Sequence, residues 1–531
     1  MPSRPVGPLP FPRPRSHRTP GAMTTTQDTH VDRAGPREWA GLAVLTLPVL
    51  LISVDMTILG FAVPHLSEDL RPTGTELLWI VDVYSFLLAA LLVTMGSLGD
   101  RIGRRRLLMF GAAGFGAASV AAAFAPTAEA MIAARALLGL AGGTLMPSTL
   151  SLVRSMFPDD AQRKIAIAVW AAALSAGSAL GPVLGGLLLE FFWWGSLFLV
   201  NAPVTVLTLV LAPTLVRESR ATDPGRLDPL SVLLSAATML PAVYGVKKLA
   251  EGGPVALPLA AIALGVGCGV AFVRRQRAQE RPMLDIGLFA NRTFSVGVGL
   301  NLITLFAMIA ALFFLTQYLQ IVLGISPLRA GLALVPGMLL AVGAGFLAVG
   351  AARRVGMAAV LCAGLLIMAT GFLVLTALSP DSGAALAVGG FAFVGFGMGL
   401  TQTLTNDAVL SAAPEDRAGA ASAVSETGYE LGAALGVAIL GSVLAVSYRG
   451  GLREVPGVPD EAVAAARDTL GGAADTASTL PTEEAERLTA AAHTAFTDAV
   501  AVTGATAAAL LVAAAATTAV VLRPTGGRSQ G

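Results

Sequence analysis

Apolar positions along this chain gather into fourteen runs, each long enough to cross a bilayer core of ~30 Å as a helix of roughly 20 residues. The runs lie near 40–63, 78–98, 106–125, 128–152, 164–189, 195–216, 230–248, 255–273, 293–319, 329–352, 356–378, 384–405, 419–446 and 499–522. Charged residues concentrate in the gaps. The pattern predicts an all-α polytopic membrane protein, since a helix satisfies its own backbone where no water is present. Composition points the same way. The chain is 55% hydrophobic and only 13% charged, against about 25% charged in a soluble domain.

An even number of spans puts both termini on one side of the membrane, and the distribution of basic residues says which. With the N-terminus inside, inner segments hold 26 of the 35 Lys and Arg residues. Outer segments hold Arg71, Lys247, Lys248, Arg329, Arg449, Arg453, Arg467 and Arg487, and Arg135 falls within a span. The positive-inside rule therefore places both termini in the cytoplasm, in a multi-pass protein of the cytoplasmic membrane. Lys247 and Lys248 run against the rule, and nothing in the sequence explains them. Residues 1–38 form a polar tail rich in Pro and Arg, with no signal-peptide apolar segment and with Met23 as a possible true start. Residues 447–498 hold more acids than bases and read as a solvated outer insertion, with a short surface helix at 460–470. Residues 524–531 make a second cytoplasmic tail.

The chain also repeats itself. Gly177-Ser-Ala-Leu-Gly181-Pro182 in the fifth run aligns with Gly432-Ala-Ala-Leu-Gly436-Val437 in the thirteenth, and Pro158-Asp-Asp and Pro414-Glu-Asp introduce the two. Duplicated bundles with a site between them are a common transporter plan. The expected organisation is a six-helix bundle over 39–217, an inserted pair of helices within 218–291, and a second bundle over 292–523.

Residues 96–106, Gly96-Ser97-Leu98-Gly99-Asp100-Arg101-Ile102-Gly103-Arg104-Arg105-Arg106, separate the second and third runs. The four arginines make this a cytoplasmic hairpin, its glycines let two helix ends approach, and Asp100 can lock the turn to neighbouring helices. The segment resembles G-x-L-x-D-R-x-G-R-R, the loop signature of the major facilitator superfamily of secondary transporters. The second-half counterpart, Arg353-Arg354-Val355-Gly356, lacks the aspartate.

Further segments resemble the fourteen-helix drug:proton antiporter branch of that superfamily. They are Asp55-Met-Thr57-Ile58-Leu-Gly60-Phe-Ala62-Val-Pro64 in the first run, Arg135-Ala-Leu-Leu-Gly139 in the fourth, and Gly177-x-x-x-Gly181-Pro182-x-x-Gly185-Gly186 in the fifth. The last is similar to the antiporter motif of exporters. Leu78-Trp79-Ile80-Val81-Asp82-Val83-Tyr84 and Glu426-Thr-Gly-Tyr429-Glu430 are similar to QacA-like quaternary-ammonium and multidrug exporters, although Ser425 stands where those carry a second acid. The resemblance implies export of lipophilic cations in exchange for protons, with the proton gradient as the energy source and no cofactor or bound metal. It also implies a monomer in the lipid bilayer that has no business with nucleic acid.

Residue chemistry identifies where such work would be done. A carboxylate inside a span costs about 2.5–3.5 kcal/mol on insertion scales, so Asp55, Asp82, Glu426 and Glu430 call for a reason. A buried carboxylate near a cation can hold a proton or a cationic substrate, but not both, which is a physical basis for exchange. Asp55 is the first candidate, with Arg135 as its tuning partner; a purely structural hydrogen-bond role is the alternative. Asp82 could instead be a solvated helix end, and Glu426 and Glu430, four apart, share one helix face. A second acid would matter most to dications, which need two carboxylates. Trp79, Tyr84 and Tyr429 are possible stacking partners for aromatic cations or simple interface anchors. Gly177, Gly181, Pro182, Gly185 and Gly186 can seal helix five against its neighbour, or merely pack it. Only three lysines occur and none follows a glycine, so a Walker A loop is absent, and no HExxH, CxxC or nucleophile elbow points to an enzyme. A dedicated exporter of one metabolite or self-made antibiotic is the competing expectation.

Overall fold

The computed structural model describes residues 33–220, 228–251, 254–279, 282, 284, 286–412 and 418–522. Met23, Asp416, the Pro414-Glu-Asp element and the tail at 524–531 lie outside the described residues. Among the described residues thirteen helices are long and apolar enough to cross a membrane, and a bent one, Asp160–Phe191, makes a fourteenth. In the first half they are α1 (Pro36–Leu70), α2 (Gly74–Ile102), α3 (Arg104–Ala123), α4 (Ala128–Met156), α5 (Asp160–Phe191) and α6 (Ser196–Leu215). An inserted pair follows, α7 (Pro229–Glu251) and α8 (Ala256–Ala278). The second half holds α9 (Arg292–Val322), α10 (Pro327–Val355), α11 (Met357–Leu375), α12 (Ala384–Ser411), α13 (418–451) and α14 (Thr482–Val521). No strand occurs among the described residues.

Local sequence sets the joints. Thr73 opens α2 with a capping box: its hydroxyl accepts from the Glu76 N–H, and the Glu76 carboxylate accepts from the Thr73 N–H at 2.8 Å. Asp159 caps α5 and Asn291 caps α9 with a side-chain oxygen that accepts from backbone N–H groups of the first turn. The expected hairpin at 96–106 is far tighter than a loop, because helix continues to Ile102 and resumes at Arg104. Gly103 alone makes the turn at φ +107°, and a Cβ there would meet the Glu218 carboxylate at 2.6–2.8 Å.

The second correction concerns residues 447–498. Helix α14 begins at Thr482 rather than near 499 and runs for 40 residues. Helices Asp460–Ala466 and Leu470–Ser478 fill most of what remains. The segment is packed, not merely solvated. Val463, Ala466, Leu470, Ala473 and Ala477 are buried, the Tyr448 hydroxyl donates to the Ala466 carbonyl at 3.0 Å, and Arg71 pairs with Asp475 at 3.1 Å.

The two repeated segments pack by the same rule. Gly177, Gly181 and Gly185 press α5 against α1, where a Cβ at 177 would lie 2.6 Å from Ser53 Cβ and 2.7 Å from the Leu50 carbonyl oxygen. Gly432 and Gly436 press α13 against the Leu302 and Phe306 backbone of α9. The halves meet through α5 with α10, α2 with α13, and α1 with α9. Helix α7 lies along the α2/α13 seam, where Val243 buries with Phe86, Ala434 and Ala438. Helix α8 packs on α7 and turns residues such as Leu257, Leu264 and Val266 outward, as a lipid-facing helix should.

Candidate functional site

At the middle of the first half, α1, α2 and α4 converge on one arginine. Gly139 of α4 abuts Tyr84 so closely that a Cβ there would lie 3.1 Å from the Tyr84 Cα. That approach brings Arg135, one turn earlier, onto α2. Its Nε donates to the Ile80 carbonyl at 3.1 Å, one terminal nitrogen donates to Asp55 at 2.6 Å, and the other reaches the Val81 carbonyl at 3.4 Å. The guanidinium also lies 4.6 Å from the centroid of the Tyr84 ring. Asp55 and Arg135 are each 2% exposed or less, so the geometry brings the expected partners together in a buried ion pair.

Asp82 is neither a solvated helix end nor an open carboxylate. Its Oδ1 accepts from Lys247 Nζ at 2.8 Å, with both side chains fully buried, and the ammonium sits 4.0 Å from the Trp79 ring centroid. Lys247 therefore belongs to the interior of the spanning bundle, not to an outer loop, which removes half of the anomaly in the basic-residue count. The other oxygen, Asp82 Oδ2, is buried without a hydrogen-bond partner.

The remaining membrane acids lie on α13. Glu430 is buried with Ser85 of α2 as its hydrogen-bonding neighbour across the halves, and its Oε2 has no partner. Glu426 is half-buried one turn away. Among the described residues neither glutamate pairs with a base. Beside them, Asn301 of α9 donates to Ser425 at 2.8 Å and to Asn406 at 3.2 Å, and the Tyr429 hydroxyl donates to Asn406 at 3.0 Å. Ser425 thus serves a neutral polar network.

Beside Asp82 and Arg135 lies a central cavity of about 30 Å³, lined also by Thr57, Tyr84, Ser85 and Phe313 among others. Such a volume admits about one water. Above it, on the side away from the Gly103 turn, the halves touch. A Cβ at Gly186 would lie 2.6 Å from Leu328 Cα, Gly331 abuts the Pro182 carbonyl, and Gln320 donates to the Phe61 carbonyl at 3.3 Å. The five expected motif positions of α5 thus divide in two: Gly177, Gly181 and Gly185 face α1, and Pro182 and Gly186 face α10.

Of the three aromatic candidates, Tyr84 lines the cavity with an unpartnered hydroxyl. Trp79 is already engaged with Lys247 and Tyr429 with Asn406. At the hairpin, Asp100 holds Arg104 at 2.7 Å, and Arg104 reaches the Ser151 carbonyl of α4 at 3.4 Å. Glu218, just past α6, accepts from the Arg105 N–H at 3.0 Å. Gly96 lies near Pro147, and Arg101 projects to the exterior.

Comparison with known proteins bears on the whole assembly. The profile described as Major Facilitator Superfamily matches residues 45–437. The chain belongs to that superfamily. It is 48% identical over 476 residues to the multidrug efflux pump LfrA of Mycolicibacterium smegmatis, covering 90% of this chain and 94% of that one. It is 36% identical to the methyl viologen resistance protein SmvA of Salmonella typhimurium, with 87% and 93% covered. The tetracenomycin C resistance and export protein of Streptomyces glaucescens is 32% identical, with 87% of each covered. Among solved structures, a bacterial homolog of the human lysosomal transporter Spinster, inward-facing and occupied, has a TM-score of 0.67 at 17% identity. It covers 92% of this chain and 97% of its own, and it speaks to fold alone.

Within this facilitator, sequence reasoning missed Lys247, Glu218 and Asn301. Lys247 carried a signal, a lysine in an apolar run whose place on the outer side broke the charge rule. Asn301 carried a weaker one, an amide inside the apolar run 293–319, and Glu218 carried none, since acids near helix ends are ordinary.

Proposed function

We propose that this protein exports lipophilic cations, such as quaternary ammonium compounds and dyes, across the cytoplasmic membrane in exchange for protons. The observation that carries the reading is Glu430: a buried carboxylate at the seam of the two halves, near the central cavity, with no base beside it among the described residues. An unpaired buried charge is costly, so such a group favours either a proton or a substrate cation. Asp55 with Arg135 adds a second buried carboxylate whose partner is already present. Alternating exposure of this centre would then couple the two fluxes. The names of the LfrA and SmvA relatives support drug export, and the excess of basic residues beside the Gly103 turn supports a cytoplasmic location for that face and for both termini.

The test is dye accumulation in inside-out vesicles. Ethidium uptake should follow an acid-inside pH gradient and stop with a protonophore. Uptake driven by ATP in the presence of the protonophore overturns the proposal. A reporter at 157–159 should be cytoplasmic, and one within 455–480 external.

Export of a single natural product on the same scaffold is the second reading, favoured by the similarity to the tetracenomycin C exporter. Resistance to one compound without dye efflux would select it.

A further inference from the structure

The inserted pair α7–α8 lies outside the two six-helix bundles, yet one side chain of it reaches the centre. Lys247 Nζ stands 2.8 Å from the Asp82 carboxylate and 4.0 Å from the Trp79 ring centroid. A carboxylate beside an indole face is the environment that binds a lipophilic ammonium ion. Here the protein's own ammonium fills it. The subsite is nevertheless contiguous with the central cavity, because Asp82 lines that cavity and its Oδ2 is buried without a partner.

Counting charge around the cavity gives this arrangement a consequence. Asp55 is neutralised by Arg135, and Asp82 by Lys247. Glu430 is the nearby buried carboxylate with no base beside it among the described residues. One such carboxylate balances one positive charge. Glu426, one turn away, also lacks a base among the described residues, but of these acids Asp82 is the one that lines the cavity itself, and a cation that reaches it meets Lys247.

We propose that Lys247 is a resident counter-ion in a cation subsite formed by Asp82 and Trp79, and that it biases transport toward monocations and against dications. The inference rests on the cation-export reading above. Helix α7 is the element able to play this part because it lies along the α2/α13 seam, touching both halves whose rearrangement would alter the subsite. Lys247 is thus a specificity-determining residue, and the inserted pair supplies selectivity as well as bulk.

The test uses the full-length protein in inside-out vesicles with ethidium as the monocation and methyl viologen as the dication. Lys247→Met should lower the apparent KM for methyl viologen about tenfold relative to that for ethidium. Lys247→Arg should keep the wild-type ratio. Asp82→Asn/Lys247→Gln, which keeps a neutral hydrogen-bonded pair and spares the fold an unpaired buried charge, should move the ratio the opposite way, with methyl viologen losing more than ethidium. This double variant also decides the matter should Lys247→Met be depleted from the membrane. An unchanged ratio in the double variant, or in a normally inserted Lys247→Met protein, overturns the inference and makes the pair a fastening for α7. Wild-type vesicles that accumulate neither cation under a gradient overturn the cation-export reading itself, so the two failures are distinct.

Discussion

The hydroxyl of Thr57 lies 3.3 Å from the carbonyl oxygen of Ser178, the carbonyl that Pro182, four residues on, leaves without its helical N–H. A proline inside a helix normally exposes one acceptor, and a neighbouring hydroxyl can re-satisfy it. The contact needs α1 and α5 to touch backbone to backbone, which Gly177 and Gly181 permit. Thr57 is two residues from Asp55, so these glycines also fix where the acid stands. Gly177→Leu or Gly181→Leu should push α1 away and abolish gradient-driven ethidium uptake while the protein still inserts. Gly267→Ala, on α8 with nothing within 4 Å, should transport normally. Equal activity in all three would show that the motif is not a packing device.

Asp55 and Arg135 test differently as singles and as a pair. Removing one partner of a buried ion pair costs about 3–5 kcal/mol, whereas replacing both can be nearly neutral. Asp55→Asn should lower thermal stability in detergent, and Asp55→Asn/Arg135→Gln should regain most of it. Neither should show proton-coupled uptake. Full uptake by the double variant would make the pair structural only.

The Gly103 turn is held by Glu218 from beyond α6 and by Asp100 through Arg104. Neither acid lies near the central cavity. Asp100→Ala and Glu218→Gln should therefore reduce Vmax for every substrate by a similar factor, with little change in apparent KM. Measuring three chemically unlike dyes checks this, and a substrate-selective defect would place recognition at the turn.

Asp228, just before α7, accepts two hydrogen bonds from Arg275 of α8 at 2.9 Å, with Ser231 and Gln279 as further donors. The Arg275 hydrogen bonds, helped by Ser231 and Gln279, hold its carboxyl well below the ordinary carboxylate range. A depressed folded pKa means the stabilisation is present above the unfolded value, about 3.9, and is lost as pH falls from there through the folded value. The difference in thermal stability between wild type and Asp228→Asn should accordingly stay constant from pH 7 to about pH 5 and shrink only below the unfolded value. A difference that vanishes by pH 5 would show that the clasp between α7 and α8 is not ionic.

The number, order and rough limits of the spans were legible because bilayer thickness forces apolar length onto the sequence. The second half of α14 was legible too; its first half was not, because residues 482–498 are polar enough to pass for loop yet extend a helix already begun. The Asp55–Arg135 pair could be foreseen, since a buried acid and a buried base in one bundle have few other partners. Lys247 could not be assigned to Asp82, because 165 residues separate them and only the docking of α7 along the seam closes the gap. Local periodicity says that a helix exists, not which groove it occupies.

Glu430 separates the proton-coupling candidates by stability as well as by rate. It is buried at the α2/α13 seam with one oxygen unpartnered, and among the described residues it has no base. Ionised and empty, it strains the fold; a glutamine of the same size removes that cost and keeps the contact to Ser85. Glu430→Gln should therefore be at least as thermostable as wild type, the reverse of Asp55→Asn. It should also lose gradient-driven accumulation of ethidium by about tenfold or more, since neither proton nor cation finds a charge there. Glu430→Asp, which keeps the charge on a shorter arm, should recover part of the activity. Melting curves and vesicle uptake at matched protein levels give both readouts. A stable Glu430→Gln protein that pumps normally would transfer proton coupling to Asp55 alone.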